Sequence, residues 1–169
     1  GYTIMLGTDP TFSGNQFLFK KLPFSPFTDL VPISRVVNVN MAFIVPGDLP
    51  VNSLKEFVSF VKANPGKYNY GSAGAGGPTH LPFDAFLRQE RLEMTHVAYK
   101  GDNPALTDLL GGHIDLVFAT ISAAYPHLRS GQLRALAITA PQRSTRFPEL
   151  PQSLSQVYPD TRPALGMES

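Results

Sequence analysis

Apolar positions along the chain alternate between two rhythms: short β-branched or aromatic runs, and stripes recurring every three or four residues. Tyr2 to Leu6 reads as a strand ending in the polar turn Gly7-Thr-Asp-Pro-Thr11. A mixed segment follows to Leu22, and Pro23, Pro26 and Pro32 mark a long extended connection. Val31 to Val45, rich in valine and isoleucine, predicts one or two strands. Ser53-Leu-Lys-Glu56 is a capping box. It opens a helix through Leu54, Phe57, Val58 and Val61 that Asn64-Pro65-Gly66 ends. A strand at Tyr68 to Tyr70 is followed by a glycine-rich turn and a helix through Leu81, Phe83, Phe86 and Leu87. Glu93 to Tyr99 predicts a strand, and Asn103-Pro104 starts a helix that Gly111-Gly112 stops. Ile114 to Phe118 is a near-continuous apolar strand, Ser122 to Arg129 a short helix with Pro126 in or near its first turn, and Leu133 to Thr139 a last strand.

Strands alternating with helices of about ten residues imply right-handed βαβ units. The expected class is α/β: a five-stranded, mostly parallel sheet between about Asn38 and Thr139, with helices on both faces. The flanking pieces do not close a core by themselves, and the proline-rich end after Pro141 predicts little regular structure. Ligands of such sheets bind beyond the carboxyl ends of the strands. That edge would carry Gly71-Ser72-Ala73-Gly74, Tyr99-Lys100-Gly101 and Ala119-Thr120-Ile121.

The stretch Tyr68-Asn-Tyr-Gly-Ser-Ala-Gly-Ala-Gly-Gly-Pro-Thr-His-Leu81 brings the most specific chemistry. Its glycines permit positive φ and close backbone approach. Thr79 is expected to cap the following helix, whose start attracts an anion through unpaired N–H groups. Neither nucleotide-binding glycine pattern fits these positions, and the loop holds no Lys or Arg to meet a pyrophosphate. A small carboxylate fits better. The plain alternative is a turn that merely connects.

Composition narrows the field. With 169 residues, 43% hydrophobic and 16% charged, the chain is of globular type. A net charge of +1 from 14 basic and 13 acidic residues gives no footprint for nucleic acid or an anionic membrane. Cysteine is absent, which excludes disulfides. The opening Gly1-Tyr-Thr-Ile-Met-Leu-Gly-Thr8 reads as a strand entered midway, an expectation of processing or truncation.

The four histidines show no metal-ligand spacing, so neither a metal nor another cofactor is expected. His80 alone lies by the glycine loop, where it would orient the turn or touch a ligand. Ser72 lies in Gly-Ser-Ala-Gly rather than G-x-S-x-G, and no aspartate stands out to orient His80 in a triad. Asp102 and Asp108 suit capping or solvated roles, and Asp115 a hydrogen bond at the strand edge away from the ligand. Lys100 would counter a carboxylate or simply lie exposed. No catalytic constellation emerges.

Several segments in this order resemble one family. They are Gly1 to Thr8, Lys20-Lys-Leu-Pro23, Lys62-Ala-Asn-Pro-Gly-Lys67, Tyr70-Gly-Ser-Ala-Gly74, Thr79-His80-Leu81, Val97-Ala-Tyr-Lys-Gly101, Pro104 to Gly112, Gly131 to Thr139 and Arg146-Phe-Pro-Glu-Leu-Pro151. The chain is similar to the substrate-binding receptors of tripartite tricarboxylate transporters, the Bug-type extracytoplasmic solute receptors. The resemblance implies a two-lobed, periplasmic-binding-protein-like Venus flytrap of type II without catalysis. Such a receptor captures a small carboxylate in the periplasm and delivers it to membrane transporter subunits. It implies ligand contacts from Gly71, Ser72, Ala73, Gly74, Thr79 and His80 in the second lobe and from Thr8 and Thr11 in the first. Residues 1–36 would be a partial first lobe, 37–139 the second lobe, and 140–169 the return connection.

The sequence departs from the family pattern where Asp-Asn-Leu-Pro commonly follows the fourth strand. Here Ala119-Thr120-Ile121-Ser122 stand instead, and Ala119 supplies no acceptor for a ligand amine or hydroxyl. Gln152 replaces a usual Thr, and the resemblance would put the first-lobe anion loop upstream of Gly1, since family chains run roughly twice this length, beyond one compact domain. Two other readings remain. One is a truncated interaction module that no longer binds ligand and associates with another chain, or with its own copies, through uncovered apolar surface. The other is an enzyme using the 71–80 loop as an oxyanion hole.

Overall fold

The computed structural model describes residues 3–7 and 20–140. The chain divides into two compact units, 1–38 and 39–169. Among its described residues the first unit holds neither strand nor helix, so the strand expected from Tyr2 is not formed at residues 3–6. Pro23, Pro26 and Pro32 interrupt any ladder there. The β-branched run yields a single strand, and only from Met41. Val31, Ile33, Val36 and Val37, with no strand to pair with, stay exposed.

The second unit contains β1 (Met41–Pro46), α1 (Leu54–Lys62), β2 (Tyr68–Ser72), α2 (Leu81–Glu90), β3 (Met94–Ala98), α3 (Asp102–Leu110), β4 (Leu116–Thr120), α4 (Ile121–Arg129) and β5 (Leu133–Ile138). The expected five strands and four helices are all present. The sheet order is β3-β2-β4-β1-β5. β2 pairs parallel with β3 and β4, whereas β1 lies antiparallel between β4 and β5. Four strands therefore point one way and β1 alone points back.

Alternation along the strands builds two cores. Phe43, Tyr70 and Phe118 pack with Leu54, Phe57 and Val61 of α1 and Phe83 and Phe86 of α2. Ala42, Ile44, Val117 and Ala119 pack with Leu106 and Leu109 of α3 and Ala124 of α4 on the other face. β1 is buried on both faces, as its unbroken Ala-Phe-Ile-Val core demands. The α1 capping box forms with a one-residue shift: Ser53 Oγ accepts the Glu56 N–H, while Glu56 Oε2 accepts that of Asn52. Helix α3 starts at Asp102 after Gly101, whose φ of 118° suits glycine, rather than at Asn103. Pro126 lies inside α4, not in its first turn.

Candidate functional site

The carboxyl ends of β2, β3 and β4 converge on one edge, and the chain leaves β2 and β4 in opposite directions along the sheet. A crevice opens where such order reverses. This edge carries the 71–80 loop, the turn Tyr99 to Asp102 and Thr120 at the start of α4. The Tyr99 N–H donates to the Ser72 carbonyl at 2.9 Å, tying the first two together. Asp102 Oδ2 accepts both the Thr120 N–H at 3.1 Å and its hydroxyl at 2.7 Å, tying the second to the third.

Gly71 is a packing glycine. A Cβ there would stand 2.7 Å from Ile114 Cδ1 and 3.1 Å from Tyr99 Cε2. Ser72, with no exposed surface, turns to the opposite face, where its Oγ lies 2.7 Å from His96 Nε2 and 3.1 Å from the Gly74 carbonyl. The Gly74 N–H reaches the same Oγ at 3.3 Å. Thr79 caps no helix: His80 holds the cap position, and the buried Thr79 Oγ1 accepts the Ala73 N–H at 2.9 Å. The sequence favours a cap because Thr precedes the apolar stripe. The loop instead folds back and uses that hydroxyl to close itself.

His80 orients the turn, one of the two roles expected of it. Its Nδ1 accepts the Gly76 N–H at 2.9 Å. As the acceptor of that bond, Nδ1 carries no proton. Its ring stacks on His96 with centroids 3.8 Å apart, and His96 stacks in turn on Tyr70 at 4.9 Å. Burial, and after it the charge that His80 would carry, hold His96 below the usual imidazole range; Asp84 opposes them. Burial first and Asp84 second push the Tyr70 phenol up to about 12.

Residue by residue, the edge brings together Gly71, Ser72, Ala73, Gly74, Thr79, His80 and Thr120. Ala119 is fully buried in the second core and offers a ligand no surface. Thr8, Thr11 and Gln152 lie outside the described residues. Two residues escape a linear reading: Asp102, which pins Thr120, and His96, which the parallel register Tyr70↔His96 sets beside the loop. A signal was there for His96, since it sits in the β3 pattern on the same parity as Met94. Asp115 accepts the Asn69 N–H at the far edge, as expected, whereas Asp108 accepts the Tyr99 hydroxyl at 2.8 Å. Among the described residues no group of three or more His, Cys, Asp or Glu is placed to hold a metal.

The family model for tripartite tricarboxylate transporter family receptors matches residues 1–160. The chain belongs to this receptor family. Protein BugT of Bordetella pertussis is 33% identical over 161 residues, covering 95% of this chain and 49% of its own. A relative from Cupriavidus necator is 34% identical over 131 residues, covering 78% of this chain and 40% of its own. The chain thus spans about half the length of the curated receptors it matches. Among solved structures, a periplasmic transporter superposes with a TM-score of 0.75 at 33% identity, over 90% of this chain and 49% of that one. A protein from R. palustris solved with adipate gives 0.73 at 29%, over 83% and 46%. MatC from Rhodopseudomonas palustris with bound malate gives 0.71 at 28%, over 83% and 47%. Both the family and the periplasmic-binding-protein fold are therefore established.

Proposed function

We propose that this receptor chain captures a small carboxylate in the crevice between the 71–80 loop and Thr120. We place it in the periplasm, presenting its ligand to the membrane subunits of a tripartite tricarboxylate transporter, without catalysis. The observation carrying this reading is the family match, joined to two family-like structures that hold dicarboxylates, adipate and malate. The loop chemistry agrees with it: a glycine-rich helix start that holds no Lys or Arg favours a small anion over a polyphosphate. Residues 39–140 would form the second lobe, and the first unit would contribute to the first. A ligand at Ala73 or Gly74 must displace an existing partner, since both N–H groups are engaged inside the loop. The other end of the loop, held at Gly76 by His80, need not move.

Titrating malate and adipate into the labelled chain and following its amide resonances tests the site. Shifts are expected at 72–80, Asp102 and Thr120. Perturbation confined to the opposite sheet edge, or none at millimolar ligand, would refute the assignment. One observation favours a second reading, acyl transfer from Ser72: the 2.7 Å approach of His96. Burial of Ser72 stands against it, because an attacking hydroxyl must meet its substrate.

A further inference from the structure

His80 and His96 form a stacked titratable pair, and carboxylate capture as proposed above uses neither charge. The two rings lie 15° from parallel with centroids 3.8 Å apart. Each holds a different part of one loop. His80 Nδ1 holds the Gly76 N–H from below, and His96 Nε2 holds Ser72, whose Oγ accepts the Gly74 N–H. Two bonds of this brace respond differently to a proton. A protonated His96 donates Nε2–H to Ser72 Oγ, and the serine hydroxyl turns to the Gly74 carbonyl 3.1 Å away. That bond survives. A protonated His80 presents Nδ1–H to the Gly76 N–H, donor against donor at 2.9 Å. That bond is lost.

We propose that the stacked His80–His96 pair is an acid-released latch on the 71–80 loop, closed while His80 is neutral and opened when His80 takes a proton. The groups around the stack fit this role. Tyr70 of β2 packs against both rings and stays un-ionised, and Ser72 lies beneath His96. From α2, Asp84 faces the pair, but Arg88 binds it at 2.9 Å and offsets its charge. Burial and the neighbouring His80 keep an arriving proton off His96, and the 3.8 Å stack disfavours charging both rings. If the loop is the carboxylate site, as proposed above, opening the latch lowers affinity. His80 and His96 are then positioning residues for the ligand.

Amide and imidazole resonances of the full chain, followed from about pH 7.5 to about pH 5, read the latch directly. The Gly76 amide is expected to shift, and to lose protection relative to its intrinsic exchange rate at each pH, in step with the His80 ring. In His80→Asn the Oδ1 stands in for Nδ1 as acceptor and does not titrate, so the Gly76 amide should stay fixed. With malate and adipate as probes, wild-type affinity should fall at least about fivefold over that range, the lower end of a typical coupling. His80→Asn, whatever its affinity at the upper pH, should keep only the fall that protonation of the acids themselves causes. A Gly76 amide indifferent to His80 titration overturns the latch, whether or not either acid binds, as does affinity that rises on acidification. Failure of both acids to bind at about pH 7.5 sinks the proposed dicarboxylate site instead, and leaves the amide titration to judge the latch.

Discussion

Thr79 and Ser72 each spend a hydroxyl on closing the glycine loop, so their side chains set its shape before any ligand arrives. Thr79→Val keeps the shape of the side chain and removes the acceptor, leaving the Ala73 N–H unpaired beside a buried position. A loss of about 1–3 kcal/mol is expected in urea unfolding. An unchanged midpoint would mean the bond to Ala73 contributes nothing. His96 adds a pH term. Its folded value is lowered, so the unfolded state binds the proton more readily. Its contribution is full above the ordinary imidazole range and is lost as pH falls through that range towards the folded value. Stability measured across that window should decline on acidification, and His96→Gln should flatten the decline. None of these roles is legible from the residue alone. Thr before an apolar stripe signals a cap, and only the folded-back loop shows the hydroxyl serving Ala73 instead.

The elements themselves are legible because their periods are. Leu54, Phe57, Val58 and Val61 mark α1, and the Ile114 to Phe118 run marks a doubly buried strand, found two residues further on at Leu116–Thr120. What the pattern lacks is direction: β1 is apolar on both faces, a signature shared by parallel and antiparallel central strands. Its reversal between β4 and β5 follows from the connections, not from its residues. Arg134 of β5 then fixes the exit of β1, donating to the carbonyls of Gly47 at 2.7 Å and Val51 at 2.8 Å. The same burial makes β1 the energetic centre of the first core. Phe43 meets Phe83, Phe86 and Phe118 with ring centroids 5.4, 5.1 and 5.0 Å away. Phe43→Ala removes these contacts and leaves a cavity, for an expected loss of about 3–5 kcal/mol. A loss under about 1 kcal/mol would show the cluster collapsing freely around the gap. Gly71→Ala acts through the second core by overpacking. Its methyl would crowd Ile114, Tyr99 and Val117, at an expected cost of about 1–3 kcal/mol.

At the scale of the whole molecule, a flytrap gains affinity by closing two lobes and excluding water, which strengthens every polar contact inside. The 169 residues span about half of the receptors they match, and the second unit contains an intact two-sided core. In the first unit Ile4, Leu6, Phe27, Val31 and Ile33 are exposed, Val31 by 86%. An apolar surface of that kind seeks a cover. If the second unit is one lobe of such a flytrap, as proposed above, these residues by themselves are expected to bind dicarboxylates at millimolar strength at best, about 4 kcal/mol. They are also expected to self-associate with rising concentration. Replacing Val31 and Ile33 by Ser should reduce that association. Light scattering during a dicarboxylate titration measures both quantities at once. Micromolar binding by a monodisperse monomer would show that these residues alone close around the ligand, and that the apolar stretch already has its partner within the chain.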